Sequence, residues 1–254
     1  MINSEDDSSV KSGDLRLAGV LWAIWKPIRP ILAALILFFA FRALLLEAFQ
    51  IPTSSMESAL LPGDFVLVNK AVFGSKSVSG LLKLPGWEDP KRGDIVVFQP
   101  PHDPERNYVK RVIGIPGDTV EMRDKQVFIN GGSLQEDYLS DVVEQSLDVS
   151  HSDMSWQETF RVKPKNTEIV TVQSESDYRP SRDNWGPLFV PGDKFFVLGD
   201  NREDSEDSRY WGFVSRDSME GKAWLIYYSI EPGYQGYKSW LKGIRWERVG
   251  QKIG

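Results

Sequence analysis

The chain has 254 residues, of which 41% are hydrophobic and 26% charged; that balance excludes wholesale disorder and suits one large domain with an insertion and a tail. A formal net charge of -6 gives no whole-chain basis for nucleic-acid binding, which needs a basic footprint. Cysteine is absent, so disulfides, thiolate nucleophiles and cysteine-ligated metals drop out together.

The first fourteen residues are rich in Ser and Asp and read as disordered. Leu15 to Trp25 is too short to span a bilayer and, with Trp22 and Trp25, suits its interface. Residues 1–27 are taken as a cytoplasmic tail. Every residue from Ile31 to Phe41 is apolar, and Ala43 to Leu46 continue the run past Arg42. Residues 28–48 therefore read as a transmembrane helix: the run from Ile28 to Phe49 is roughly 33 Å long, against a hydrocarbon core of about 30 Å. Pro27 and Pro30 fit its first turn, where a missing N–H costs nothing. No small-x-small site follows, which argues against a cleaved leader. Arg42 lies toward the far end and can snorkel to the interface beside Glu47. Arg16, Lys26 and Arg29 precede the run while Glu47, Glu57 and Asp64 follow it. By the positive-inside rule the N-terminus is cytoplasmic and everything after residue 50 lies outside.

Beyond residue 60 the pattern turns to β. Phe65–Val68, Ile95–Phe98, Tyr108–Ile115, Val120–Met122, Val127–Ile129, Phe195–Leu198 and Ala223–Tyr228 are short runs separated by Gly-Asp, Pro-Gly and Asn-Gly signals, with Asp124-Lys125 turning a hairpin. Residues 49–254 are expected to form a mainly β, barrel-like or sandwich-like domain. Within it, residues 131–185 hold eleven acids against five bases and read as an inserted, solvated second lobe. The C-terminal stretch carries Lys238, Lys242, Arg245, Arg248 and Lys252 among Trp240 and Trp246. It suits either a lipid headgroup surface or a cap on the barrel.

Chemistry concentrates in Phe49-Gln50-Ile51-Pro52-Thr53-Ser54-Ser55-Met56, in Tyr108-Val109-Lys110-Arg111-Val112-Ile113-Gly114, and in the turn-rich stretch from Gly199 to Gly212. A serine hydroxyl near neutral pH needs a base within hydrogen-bond reach. His102 and His151 are the only imidazoles, and both stand among turn residues as exposed loop positions. That leaves carboxylates and lysines. A lysine serves as a base only where burial lowers its pKa. On a strand, Lys110 shares a face with Tyr108 and Val112 while Val109 and Arg111 point the other way, so one of the two cations is a candidate for burial. The competing reading is an edge-strand charge pair that discourages aggregation.

These stretches resemble the sequence boxes of bacterial type I signal peptidases (leader peptidases), serine endopeptidases with a Ser–Lys dyad. The likeness covers residues 49–70, 91–132 and 190–230, in the family's order and after an N-terminal anchor. It implies that Ser55 is the nucleophile and Lys110 the neutral general base, and that Thr53 and the Ser55 N–H form the oxyanion hole. It also implies that Ser205 orients the lysine amine, and that Asp207 with Arg209 braces that loop. Phe49, Ile51, Pro52, Met56, Leu60, Tyr108 and Val109 would line a groove admitting small substrate side chains. The substrate would bind as an added strand.

One departure stands out. The family usually has Pro-Thr-Leu after Ser-Met-x, where this chain has Ser58-Ala59-Leu60. The implied activity is removal of signal peptides from secreted and membrane preproteins, the products of the export translocon, at the outer face of the bacterial cytoplasmic membrane. The lipid bilayer is the other implied partner; no cofactor, metal or nucleic acid is implied. A pilin-type or conjugation-type Ser–Lys processing peptidase and an inactive tethered peptide-binding β domain are the alternatives.

Overall fold

The computed structural model describes residues 22, 25–39, 45–74, 86–139, 153–162, 178–233 and 243–253. It divides into two units, residues 1–45 and 46–254. In the first, residues 25–39 form helix α1, exposed throughout, with Ile31, Leu35, Ile36, Leu37, Phe38 and Phe39 all open. Among the described residues no helix is long and apolar enough to cross a membrane. The far end of the expected span is strand: β1 (Leu46–Gln50) runs antiparallel to β2 (Asp64–Asn69). Leu, Ala and Phe serve a half-buried strand as readily as a helix, and pairing with β2 decides between them. Glu47 lies 2.9 Å from the Lys70 ammonium just past β2, which fixes the pairing further. The tail 1–21, Arg42, His151, most of the acidic stretch (140–152 and 163–177), Lys238, Trp240 and Lys242 lie outside the described residues.

The second unit is mainly β. Along the chain follow β3 (Ile95–Phe98), β4 (Tyr108–Gly114), β5 (Thr119–Arg123), β6 (Gln126–Ile129), β7 (Gly132–Ser133), β8 (Trp185–Phe189), β9 (Lys194–Leu198), helix α2 (Ser208–Trp211), β10 (Val214–Ser215) and β11 (Met219–Ser229). Seven strands form one antiparallel sheet in the order β1-β2-β11-β3-β4-β9-β10; four form another, β7-β6-β5-β8. The large sheet has β1 and β10 at its edges, so the barrel-like expectation becomes an open, curled half-barrel. Register shifts along β11 strengthen its twist. At one of them Gly221 is required, since a Cβ there would stand 2.6 Å from the Asn69 carbonyl oxygen.

The continuous apolar runs reflect burial on both faces of the large sheet. Ile95 and Val97 join a cluster with Ile51, Met56 and Leu60, whereas Val96 and Phe98 join Val112, Phe195 and Val197 behind the sheet. Phe196 and Leu198 pack instead with Val120, Met122, Trp185 and Leu188, tying the small sheet to the large one. Asp124 and Lys125 take φ of 48° and 67° between paired β5 and β6, the two-residue turn that favours hairpin twist. β5 and β6, read as part of the main array, belong to the four-stranded sheet together with β7 and β8. The second layer thus begins at Thr119, ahead of the acidic stretch. Its opening turn is pinned by Asp118, which accepts from Arg92 (3.0 Å), the Ile115 N–H (2.8 Å) and Asn130 (2.9 Å).

Arg245 and Arg248 act as a cap. Both reach the buried Asp64 carboxylate, at 3.2 and 2.6 Å, and Ser229 donates to it at 2.6 Å. Burial works to raise the Asp64 pKa, but Arg248, Ser229 and the Leu61 N–H together hold it below the ordinary value.

Candidate active site

Two parts of the half-barrel, the turn after β1 and strand β4, bring the site together. After β1 the chain turns away at Pro52, and the Met56 and Leu60 side chains, one helical turn apart, are both buried in the core. The Leu60 N–H bonds the Met56 carbonyl at 2.8 Å and the Glu57 N–H bonds that of Ser54 at 2.8 Å. Ser55 therefore sits at the head of a tight turn whose apolar residues face inward.

β4 supplies the other side. Arg111 is paired on both sides, with β3 and β9, whereas among the described residues Lys110 pairs with β3 alone; the reading of the two as an exposed edge-strand charge pair fails because neither side chain reaches solvent. Both cations are buried, at 4% and 3% exposure, on opposite faces. Lys110 stands opposite Val96, and Arg111 opposite Ile95 and Leu198. The Lys110 Nζ is 2.7 Å from the Ser55 Oγ. Burial lowers the lysine pKa to about 8, against the opposing pull of the Asp207 carboxylate. Arg111 meets Asp200 through two nearly parallel bonds of 2.8 and 2.7 Å, a partner that sequence inspection missed because it lies on a loop far along the chain.

That loop closes the site from a third direction. The Asn201 N–H donates to the Ser55 carbonyl at 3.1 Å. A Cβ on Gly199 would fall 2.5 Å from the same carbonyl oxygen and 2.2 Å from the Ser205 Oγ, so only glycine lets the two backbones approach. Asp207 and Arg209 are wholly buried and paired at 2.8 and 2.9 Å. Asp207 also accepts from the Gly199 N–H at 3.1 Å and caps α2 through the Arg209 N–H at 3.2 Å. Burial works to raise the Asp207 pKa and to lower that of Arg209; their mutual attraction prevails in both cases, holding Asp207 low and Arg209 high. Ser205 is buried beside them, but its hydroxyl donates to Asp207 at 2.7 Å, and among the described residues no hydrogen bond joins it to Lys110.

Thr53 Oγ1 lies 3.4 Å from Ser55 Oγ, and the Ser55 N–H has no acceptor among the described residues. Ser54, the serine beside the nucleophile candidate, donates instead to Asp204. A groove of about 640 Å³ runs along the pair, lined by Phe49, Ile51, Pro52, Met56, Tyr108 and Val109, and also by Arg106, Asp204 and Glu206. Leu60 does not line it; with no exposed surface it belongs to the core beneath. His102 stacks on Trp211, with ring centres 5.5 Å apart, and stands 3.7 Å from Glu206. No hydrogen bond links it to Ser55 or Lys110 among the described residues.

A desolvated amine touching a hydroxyl at the side of an open groove is the equipment of a serine hydrolase without histidine. The family model for signal peptidase, peptidase S26, matches residues 24–228. A signal peptidase I of Pseudomonas fluorescens is 37% identical over 206 residues, 77% of this chain and 69% of its own. Another, from Aquifex aeolicus, is 33% identical over 212 residues, 74% and 78% of the two chains. A solved signal peptidase I of Enterococcus faecalis is 36% identical and is covered to 97% by 53% of this chain, at a TM-score of 0.35. The chain belongs to the signal peptidase family S26 and is a serine endopeptidase.

Proposed function

We propose that the protein removes N-terminal signal peptides from exported preproteins while anchored in the bacterial cytoplasmic membrane. Ser55 attacks the scissile carbonyl, and Lys110, uncharged, takes its proton and returns it to the leaving amine. The observation that carries this reading is the 2.7 Å contact between a nearly solvent-free amine and the Ser55 hydroxyl. The Ser55 N–H and Thr53 are the available donors for the tetrahedral oxyanion. Among the described residues, Tyr108, Val109 and Lys110 pair with β3 alone. Their other edge is open toward the groove, where an extended substrate can add as a strand.

Membrane attachment is supported by α1, whose apolar side chains are exposed on every side, an arrangement that calls for an apolar medium. The basic residues before it and the acidic ones after it favour an N-terminus inside and a catalytic domain on the outer face. An anchor suits an enzyme whose substrates arrive embedded in the bilayer.

The test is cleavage of a purified preprotein by the detergent-solubilised chain. Wild type releases the mature protein, and Ser55→Ala and Lys110→Arg do not. The arginine keeps the charge but cannot give up its proton. Equal cleavage by Ser55→Ala would overturn the assignment.

A further inference from the structure

Ser58, on the turn that follows the nucleophile, takes a backbone φ of 104°. Glycine enters that territory freely, but a residue with a Cβ enters it only when its surroundings over-determine it. Proline, its ring locked near −65°, cannot enter at all. The residue usual at this place in the resembling family is therefore incompatible with the backbone found here.

The restraint on Ser58 comes from the insertion. Its hydroxyl donates to the Tyr138 carbonyl, which belongs to the strap of residues 134–139 leading out of β7. The same strap grips the two other parts of the site. The Tyr138 ring centre lies 3.9 Å from the Arg111 guanidinium, next to Lys110. Glu136 pairs with Arg202 at 2.5 Å, and Arg202 Nε donates to the Gly199 carbonyl at 3.0 Å. A single short segment thus touches the serine turn, the lysine strand and the loop that holds the Ser55 carbonyl.

We propose that Ser58 is a positioning residue: latched to the Tyr138 carbonyl, it holds residues 55–60 in their positive-φ turn, and that turn sets the approach of the Ser55 hydroxyl to the Lys110 amine. The inserted layer accordingly contributes to catalysis without touching substrate. If residue 58 relaxes to negative φ, the chain between Glu57 and Ala59 is redirected, and with it the Glu57–Ser54 and Ala59–Met56 bonds that frame the nucleophile. Misplacement by about 1 Å can cost on the order of 100-fold in rate.

The inference rests on the Ser55–Lys110 reading, and its test separates the two. Full-length wild type, Ser58→Ala, Ser58→Gly and Ser58→Pro are compared on a preprotein substrate, well below their melting temperatures. Alanine loses the hydroxyl and keeps the Cβ: kcat falls about tenfold or more, with KM within about twofold. Glycine also lacks the hydroxyl but takes the turn at little cost, and recovers most of that loss. Proline is slower still, and if it does not fold the alanine–glycine pair decides. An alanine variant with wild-type kcat, or alanine and glycine variants equally impaired, would overturn the proposal. A wild type that cleaves no preprotein would instead sink the dyad.

Discussion

Lys110 and Arg111 are consecutive, equally buried and on one central strand, yet the two faces of that strand treat positive charge in opposite ways. On the Arg111 face a carboxylate meets the guanidinium with paired bonds to Asp200, and an aromatic ring stacks on it. On the Lys110 face no carboxylate pairs with the amine among the described residues; it meets the Ser55 hydroxyl and lies 5.7 Å from the centre of the Tyr108 ring, and burial pushes its pKa down to about 8. A guanidinium cannot shed its proton, so it must be paired to be buried, whereas an unpaired amine can become neutral and so become a base. Asp207 and Arg209, nearby, show the paired solution again, with the carboxylate consumed by its own arginine before it can neutralise the lysine.

Exchanging these environments should break the contrast, and the largest effect is on chemistry. Lys110→Met should abolish cleavage, a loss of about 10⁶ in kcat if serine and base act as one unit. The same variant should nonetheless melt several degrees higher at pH 7. Because the folded pKa of Lys110 lies below its unfolded value of 10.5, the folded state carries the full cost of the charged amine below pH 8. That cost, on the order of 3 kcal/mol, fades as pH rises from 8 toward 10.5. Calorimetry at pH 7 and pH 10 checks the sign, and a Met variant less stable at pH 7 would count against the desolvated amine.

On the paired side the outcome should invert. Asp207→Ala leaves Arg209 buried without its counter-charge and should cost about 3–5 kcal/mol of stability, read as a lower denaturation midpoint. Smaller is the expected effect of Thr53→Val, which keeps shape and removes one donor beside the nucleophile. It should lower kcat by on the order of 10²–10³, with little change in melting temperature.

The strands around the site were legible because their apolar runs were short, punctuated by turn residues and rich in β-branched side chains; β3 and β9 match the sequence reading nearly residue for residue. Strand alternation also placed Lys110 with Val112 and away from Arg111. What escaped depends on contacts distant in sequence. Nothing local marks Asp200 as the partner of Arg111, nor the strap at Tyr138 as the restraint on Ser58. β1 was hidden because the apolar run from Ile31 leads into it with no change in composition, and β8 because Gly186-Pro187 reads as a breaker at the end of the acidic stretch. Leu60 was assigned to the groove by resemblance, although its spacing from Met56 points it into the core. Nor does anything local mark the buried Asp207 as the acceptor of the Ser205 hydroxyl.

The claim beneath the mechanism is that the amine on Ser55 loses its proton near pH 8, and kcat/KM measured against pH between 5.5 and 9.5 tests it most directly. The account predicts a rise of about tenfold per pH unit on the acid limb, levelling off near 8 as Lys110 becomes neutral. A profile flat from pH 5.5 upward, or one still climbing at 9.5 as for an ordinary exposed lysine, would contradict it.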